Sequence, residues 1–252
     1  MIAPVPEVDD REAWRRLVAS LAEWTRGMEG ASEGARVVER EGLVASVVPA
    51  ASERSVVNSV VYEDPAALQE AYAELAAAYT DAWTVWVPDY DDETAGFLER
   101  QGHQLDADPE AMVLDLDAVE RPPEPPAFDR EADPAAIGEL NDAAYGTPGS
   151  FARALARLSP REGLYTYMAG PGSCLLTMDH EDDCSVWFVA TEPAARGQGL
   201  GGALMAHALA DARERGRTTS TLQATDLGRP VYERLGYRSL GEIQMWERRA
   251  AG

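Results

Sequence analysis

The sequence predicts a mixed α/β chain in which one order of helices and strands is written twice. Three observations carry this. Stretches with apolar residues every three or four positions alternate with short runs rich in β-branched residues. The succession of helix, strands, helix, strand, helix, strand occurs before and again after a proline-rich stretch, Glu120-Arg-Pro-Pro-Glu-Pro-Pro126. Residues 186–202, VWFVATEPAARGQGLGG, read as a strand delivering a glycine-rich turn onto a helix.

In the first half, Asp9 and Asp10 precede a helix whose apolar face is Trp14, Leu17, Val18, Leu21 and Trp24. Its acidic first turn suits the positive end of a helix. The glycines of 27–34 end it, and residues 36–39, 42–49 and 54–62 read as strands on their valines. Asp64-Pro65 supplies an N-cap and a first-turn proline for a helix through Ala78, with Leu68, Ala71, Tyr72 and Leu75 inward. Residues 82–87 form a strand stopped by Pro88, 91–100 a short helix ended by Gly102, and 112–116 a final strand. Residues 1–119 are thus expected as one domain. The crowded prolines of 120–126 disfavour helix and ladder alike and give a stiff spacer.

Residues 127–252 are expected as the second domain. Helices fall at 134–145, with Ile137, Leu140 and Ala144 inward, and at 150–158, stopped by Pro160. Strands at 164–169 and 173–178 flank the Pro171-Gly172 turn, and 183–191 is the strand before the glycine loop. The helix after the loop buries Leu200, Leu204, Ala208 and Ala212. A strand at 218–224, a helix at 229–235 closed by Gly236 and a terminal strand at 237–247 complete the order.

Composition excludes several roles. There are 44 acidic and 22 basic residues, every basic one an arginine, for a net charge of -22. Such a chain repels nucleic acid and anionic membrane. The balance is -18 up to Pro126 and -4 from Ala127 onward, so the half with the glycine loop is nearer neutrality. No apolar run spans a membrane and the N-terminus lacks a secretory pattern, so a cytoplasmic location is expected. Cys174 and Cys184 flank a hairpin turn at 179–183. With only His103, His180 and His207 besides, neither a disulfide nor a metal site is expected.

The loop itself is an anion site in the making. Missing Cβ atoms let a phosphate approach the backbone, the first-turn N–H groups lack helical partners, and Arg196 adds a bidentate cation. The alternative is a tight strand–helix connection. Thirty residues on comes Pro230-Val-Tyr-Glu-Arg-Leu-Gly-Tyr237. Together, Arg196-x-x-Gly199-x-Gly201 and Tyr232-x-x-x-Gly236-Tyr237 resemble the acetyl-CoA loop and terminal signature of the GCN5-related N-acetyltransferases.

That resemblance covers residues 127–249 in its motifs. It implies the α+β mixed-sheet acyl-CoA N-acyltransferase fold, in two tandem copies. The first copy is degenerate: Leu98 stands where the second half has Tyr232, and Glu63-Asp64 replaces the glycine loop. The resemblance also implies acetyl-CoA as cosubstrate, its arm along the backbone of Phe188, Val189 and Thr191. Its pyrophosphate would lie on Arg196, Gly197, Gln198, Gly199, Gly201 and Gly202. Tyr232 is the implied acid for the departing sulfur, since a phenol is largely protonated at neutral pH; packing is its alternative role. Tyr237 reads as structural.

The general base is open among His180, Glu181, Asp182 and Asp183, with Asp183 first because it lies nearest the strand; a solvated hairpin tip would look the same. Glu247, Tyr165 and Tyr167 are further substrate-side candidates. The expected acceptor is a primary amine of a small molecule or peptide, taken up by a monomer or homodimer. A non-catalytic acyl-CoA sensor is the alternative function.

Overall fold

The computed structural model describes residues 8–159, 161–170 and 172–250; Pro160 and Pro171, expected to stop a helix and to form a turn, lie outside them. The elements of the first half are α1 (Asp10–Arg26), β1 (Arg36–Arg40), β2 (Leu43–Val47), β3 (Ser59–Tyr62), α2 (Pro65–Ala78), β4 (Trp83–Pro88), α3 (Asp92–Arg100), β5 (Gln104–Ala107) and β6 (Glu110–Asp115). Those of the second half are β7 (Phe128–Asp129), α4 (Pro134–Tyr145), α5 (Ser150–Leu155), β8 (Leu164–Ala169), β9 (Ser173–His180), β10 (Asp183–Thr191), α6 (Leu200–Glu214), β11 (Thr219–Ala224), α7 (Arg229–Leu235) and β12 (Arg238–Arg248). No helix among the described residues is long and apolar enough to cross a membrane.

The chain forms two compact units, and neither is a continuous stretch. One holds residues 21–109, 133–159 and 241–250. Here β1, β2 and β3 are antiparallel neighbours, β3 and β4 are parallel, and α2 is the crossover between them. β12 pairs antiparallel with β4 from Ile243 opposite Pro88 to Arg248 opposite Trp83, and β5 joins it as well. The core gathers Val60, Leu68, Leu75, Val85 and Leu98. In the same unit α4 and α5 meet backbone to backbone: a Cβ on Gly138 would stand 2.7 Å from Ala152 Cα. Asp142 caps α5 by accepting from the N–H groups of Phe151 and Ala152.

The other unit holds residues 8–20, 110–132 and 161–240. β7, β8, β9 and β10 are antiparallel neighbours, β10 and β11 are parallel, and α6 is the crossover. β6 closes the far side of β11 through six antiparallel pairs, Glu110 opposite Ala224 to Asp115 opposite Thr219. The core between sheet and α6 is built from Met112, Leu114, Val186, Leu204, Met205, Ala208 and Leu222. The proline-rich stretch lies along α6: His207 donates to the Pro123 carbonyl at 2.9 Å, Arg213 to that of Val119, and Arg121 pairs with Asp211 and Glu214.

Most expected elements recur within two residues, and the departures have local causes. The strand expected at 54–62 begins only at Ser59, because Asn58 holds a turn instead. Its amide donates to the carbonyls of Ala51 and Arg54 and its oxygen accepts from Val48 N–H. The exposed edge strand β5 lacks the apolar alternation that announces a strand. β9 runs on to His180, so the hairpin turn narrows to Glu181 and Asp182, with Glu181 at φ +49°.

Candidate functional site

The glycine loop follows β10, and a second turn, residues 225–228, follows β11. Because β10 and β11 are parallel, both turns emerge at the carboxyl ends of the two strands, where open α/β sheets take their ligands. The ladder between these strands covers only Asp183–Thr219, Cys184–Ser220 and Ser185–Thr221. β10 then runs on for six residues outside that ladder, to Thr191. Its register against β9 shifts between Trp187 and Ala190, and Phe188 takes φ +53°. A bulky side chain in the left-handed region is held there by its surroundings, and a bulge re-aims the backbone on either side of it. The expected arm-binding residues Phe188, Val189 and Thr191 are therefore the bulge and the strand end beyond it.

The loop continues this opening. Gly197 and Gly199 both take φ +78°, and a Cβ on Gly197, Gly199 or Gly202 would meet nothing within 4 Å. Gly201 differs: its Cβ would press to 3.1 Å on the Thr191 hydroxyl, which itself lies 3.1 Å from Ser173 Oγ. It lets α6 start close against the strand, while the other three glycines leave space in front of the backbone. Gly199 is the N-cap of α6 and brings no side-chain cap. Arg196 donates its Nε–H to the Thr191 carbonyl at 3.1 Å, and Gln198 is exposed beside it. Uncapped first-turn N–H groups, an approachable backbone and an arginine fit a diphosphate. The fit is good.

The other unit supplies the contrast. Its corresponding helix, α2, is capped by Asp64, whose carboxylate accepts from Ala66 N–H at 2.9 Å. Helix α3 is capped by Asp91, which accepts from Thr94 N–H at 3.0 Å and also from the Tyr62 hydroxyl at 2.6 Å. At both of these helix starts a capping carboxylate accepts from a first-turn N–H and would repel a phosphate.

Tyr232 sits in α7, 8% exposed, its ring edge-on to Tyr237 at 6.0 Å between centroids. Tyr237 is buried. Its hydroxyl bonds Ser220 Oγ at 2.6 Å, which in turn donates to the Cys184 carbonyl at 2.7 Å, and burial pushes the phenol far above its ordinary range.

Asp183 is enclosed, at 1% exposure. One oxygen accepts from Ser20 at 2.8 Å and Thr221 at 2.6 Å, the other from Thr219 at 2.8 Å. Burial raises its pKa, against the lowering effect of the three hydroxyls. Its neighbours lie elsewhere: Glu181 bonds Arg15 at 3.1 Å, and Asp182 is exposed in the turn. Tyr165 carries the Arg215 guanidinium 3.6 Å from its ring centre. Tyr167 is buried beside the same arginine, and burial raises its phenol. Glu247 belongs to the other unit, paired with Arg249 at 2.6 Å. The bulge at Phe188 had no sequence signal. Gly228, where a Cβ would stand 2.9 Å from the Tyr232 ring, had one, since residues four apart share a helix face.

Residues 163–239 match the family model described as acetyltransferase (GNAT) domain. No curated protein matches the sequence. Among solved structures, a GCN5-related N-acetyltransferase from Kribbella flavida superposes with a TM-score of 0.63 at 18% identity, covering 98% of each chain. One from Sphaerobacter thermophilus gives 0.57 at 17%, over 96% of this chain and 94% of its own. A tandem GNAT protein from the clavulanic acid biosynthesis pathway gives 0.56 at 17%, over 97% and 96%. The chain thus has the fold of the GNAT acetyltransferases, and residues 163–239 carry the match to their domain model.

Proposed function

We propose that this protein is an N-acetyltransferase that moves the acetyl group of acetyl-CoA to a primary amine of a small molecule or peptide, within a ternary complex. One observation carries the reading. At the carboxyl ends of a parallel strand pair, a bulged strand leaves its ladder and leads into an uncapped, glycine-rich helix start. In this reading the backbone of Phe188, Val189 and Thr191 runs beside the pantetheine arm. The N–H groups of Gly197, Gln198, Gly199, Gly201 and Gly202, with Arg196, take the pyrophosphate. In this reading the first half is a degenerate copy of the second: β1–β4 and β8–β11 both run antiparallel, antiparallel, parallel around a crossover helix, β7 being an extra antiparallel strand, and Asp64 and Asp91 close the first.

When bound, acetyl-CoA supplies an activated acyl group. The chain's task is to hold it and to provide a proton where charge collects. When the amine's C–N bond forms and the C–S bond breaks, the bonding pair would go to sulfur and Tyr232 would give it the phenolic proton, while the proton shed by the amine nitrogen would pass through solvent water and restore the phenol. Asp183 serves in this reading as the post that fixes the start of β10, both its oxygens being occupied by hydroxyls. The reading further takes the protein as cytoplasmic and as a monomer or homodimer.

The test is Tyr232→Phe. CoA affinity measured by calorimetry is expected to stay within twofold, while turnover on the best member of an amine panel falls by about 10²–10⁴-fold. Unchanged turnover where chemistry limits the rate would assign Tyr232 to packing.

A further inference from the structure

We propose that Gly228 is a positioning residue for the Tyr232 phenol, an inference that rests on Tyr232 being the acid. Gly228 closes the turn after β11, its N–H donating to the Thr225 carbonyl at 2.9 Å. Its backbone is ordinary right-handed helix, φ -80° and ψ -36°, a conformation open to any residue. Conformation is therefore not what requires glycine there. Space is. A Cβ would stand 2.9 Å from Tyr232 Cε2, 3.4 Å from Cζ and 3.3 Å from the hydroxyl oxygen.

The missing methyl is thus filled by the hydroxyl-bearing edge of the ring. The ring also meets Tyr237 edge-on, and that residue is anchored. Tyr237 is 4% exposed, and its hydroxyl is tied through Ser220 Oγ to the backbone of β10 at Cys184. The ring of Tyr232 thus packs on an anchored aromatic and on a glycine that leaves it the space a side chain would take. A Cβ at 228 has no room unless the ring moves, and a displacement near 1 Å of a reacting group is enough to cost orders of magnitude in rate.

The test needs no acceptor, because free CoA is the probe. A phenol placed at the sulfur stabilises the thiolate, so the thiol pKa of bound CoA reports where the hydroxyl is. It is read from the thiolate absorbance of the complex during a pH titration. For the wild type it is expected about one unit below that of free CoA, as one charge-assisted hydrogen bond supplies. Gly228→Ala is expected to abolish that depression while still binding CoA. Tyr232→Phe is expected to abolish it equally, and the double variant to match Tyr232→Phe alone.

If Tyr232→Phe abolishes the depression and Gly228→Ala leaves it, the positioning role is overturned and the acid stands. If the wild type shows no depression, or Tyr232→Phe leaves it intact, the acid reading falls and takes the inference with it. If Gly228→Ala loses its circular-dichroism signature of folding, Gly228 belongs to the packing of the unit and the proposal is overturned.

Discussion

Replacing Asp183 tests whether a buried carboxylate in this fold is a post or a base. The carboxylate is 1% exposed and accepts from three hydroxyls at 2.6–2.8 Å. Asp183→Ala leaves three buried donors without their acceptor. Hydrogen bonds to a charged group contribute about 1.5–3 kcal/mol each. The dehydration of the carboxylate offsets part of this, and a loss of about 3–5 kcal/mol remains, the usual cost of breaking a buried charged network. In a chain of this size that lowers the melting temperature by roughly 6–20 °C. Asp183→Asn keeps an acceptor and drops the charge, so its loss is expected near 1 kcal/mol.

Wild type and Asp183→Asn also separate by pH. Burial raises the folded-state pKa of Asp183 above its unfolded value. The stability this linkage contributes is complete below the unfolded pKa and is lost as pH rises through the folded one. Wild type should therefore lose stability relative to Asp183→Asn over that window. Urea unfolding followed by circular dichroism at a series of pH values measures it. Should Asp183→Ala melt within 1 °C of wild type and yet lose acetyl transfer, Asp183 is a base and not a post.

Three further outcomes are expected. Arg196→Glu abolishes CoA binding, whereas Asp64→Ala leaves it unchanged; calorimetry should give one site per chain, and two would refute the proposal that the first half takes no CoA. His103 is buried, donating to the Trp246 carbonyl at 2.8 Å with Tyr72 Oη at 3.0 Å, and burial pulls its pKa from 6.5 to about 4. Its contribution to stability is therefore complete above pH 6.5 and declines as pH falls towards 4. The total loss is about 3 kcal/mol, which His103→Gln should remove from a melting series. A chain begun at Ala127 lacks β6 and residues 8–20, which belong to the same unit as the glycine loop. β11 then loses six pairs and Asp183 loses Ser20, so aggregation is expected by light scattering.

What the sequence discloses and what it withholds divide on physical lines. Asp64-Pro65, the glycines before α6 and the step from Tyr232 to Gly236 are local chemistry, and each stands where it was read. Pairing is not local. Nothing in residues 110–115 says that they will lie against β11, and nothing in residues 243–248 names β4. Asp183 was read beside an acidic hairpin tip. Two more residues at the end of β9 tighten the turn, and Asp183, the first residue of β10, lies in the sheet opposite Thr219, where hydroxyls distant in sequence enclose it. The bulge at Phe188 is set by its neighbours in the sheet, against its own preference.

The proline-rich stretch over α6 has a consequence for the unfolded chain. Pro122, Pro123, Pro125 and Pro126 carry no N–H, so carbonyls are what those residues offer for pairing. His207 and Gly170 N–H supply the donors, to Pro123 and Pro126. A segment already confined by its rings gives up little freedom when it is laid down, so these few hydrogen bonds and the Arg121 ion pairs suffice to keep it in place. Glycines at the same positions would leave each of these contacts possible and still loosen the strap, because the denatured chain would have more conformations to lose.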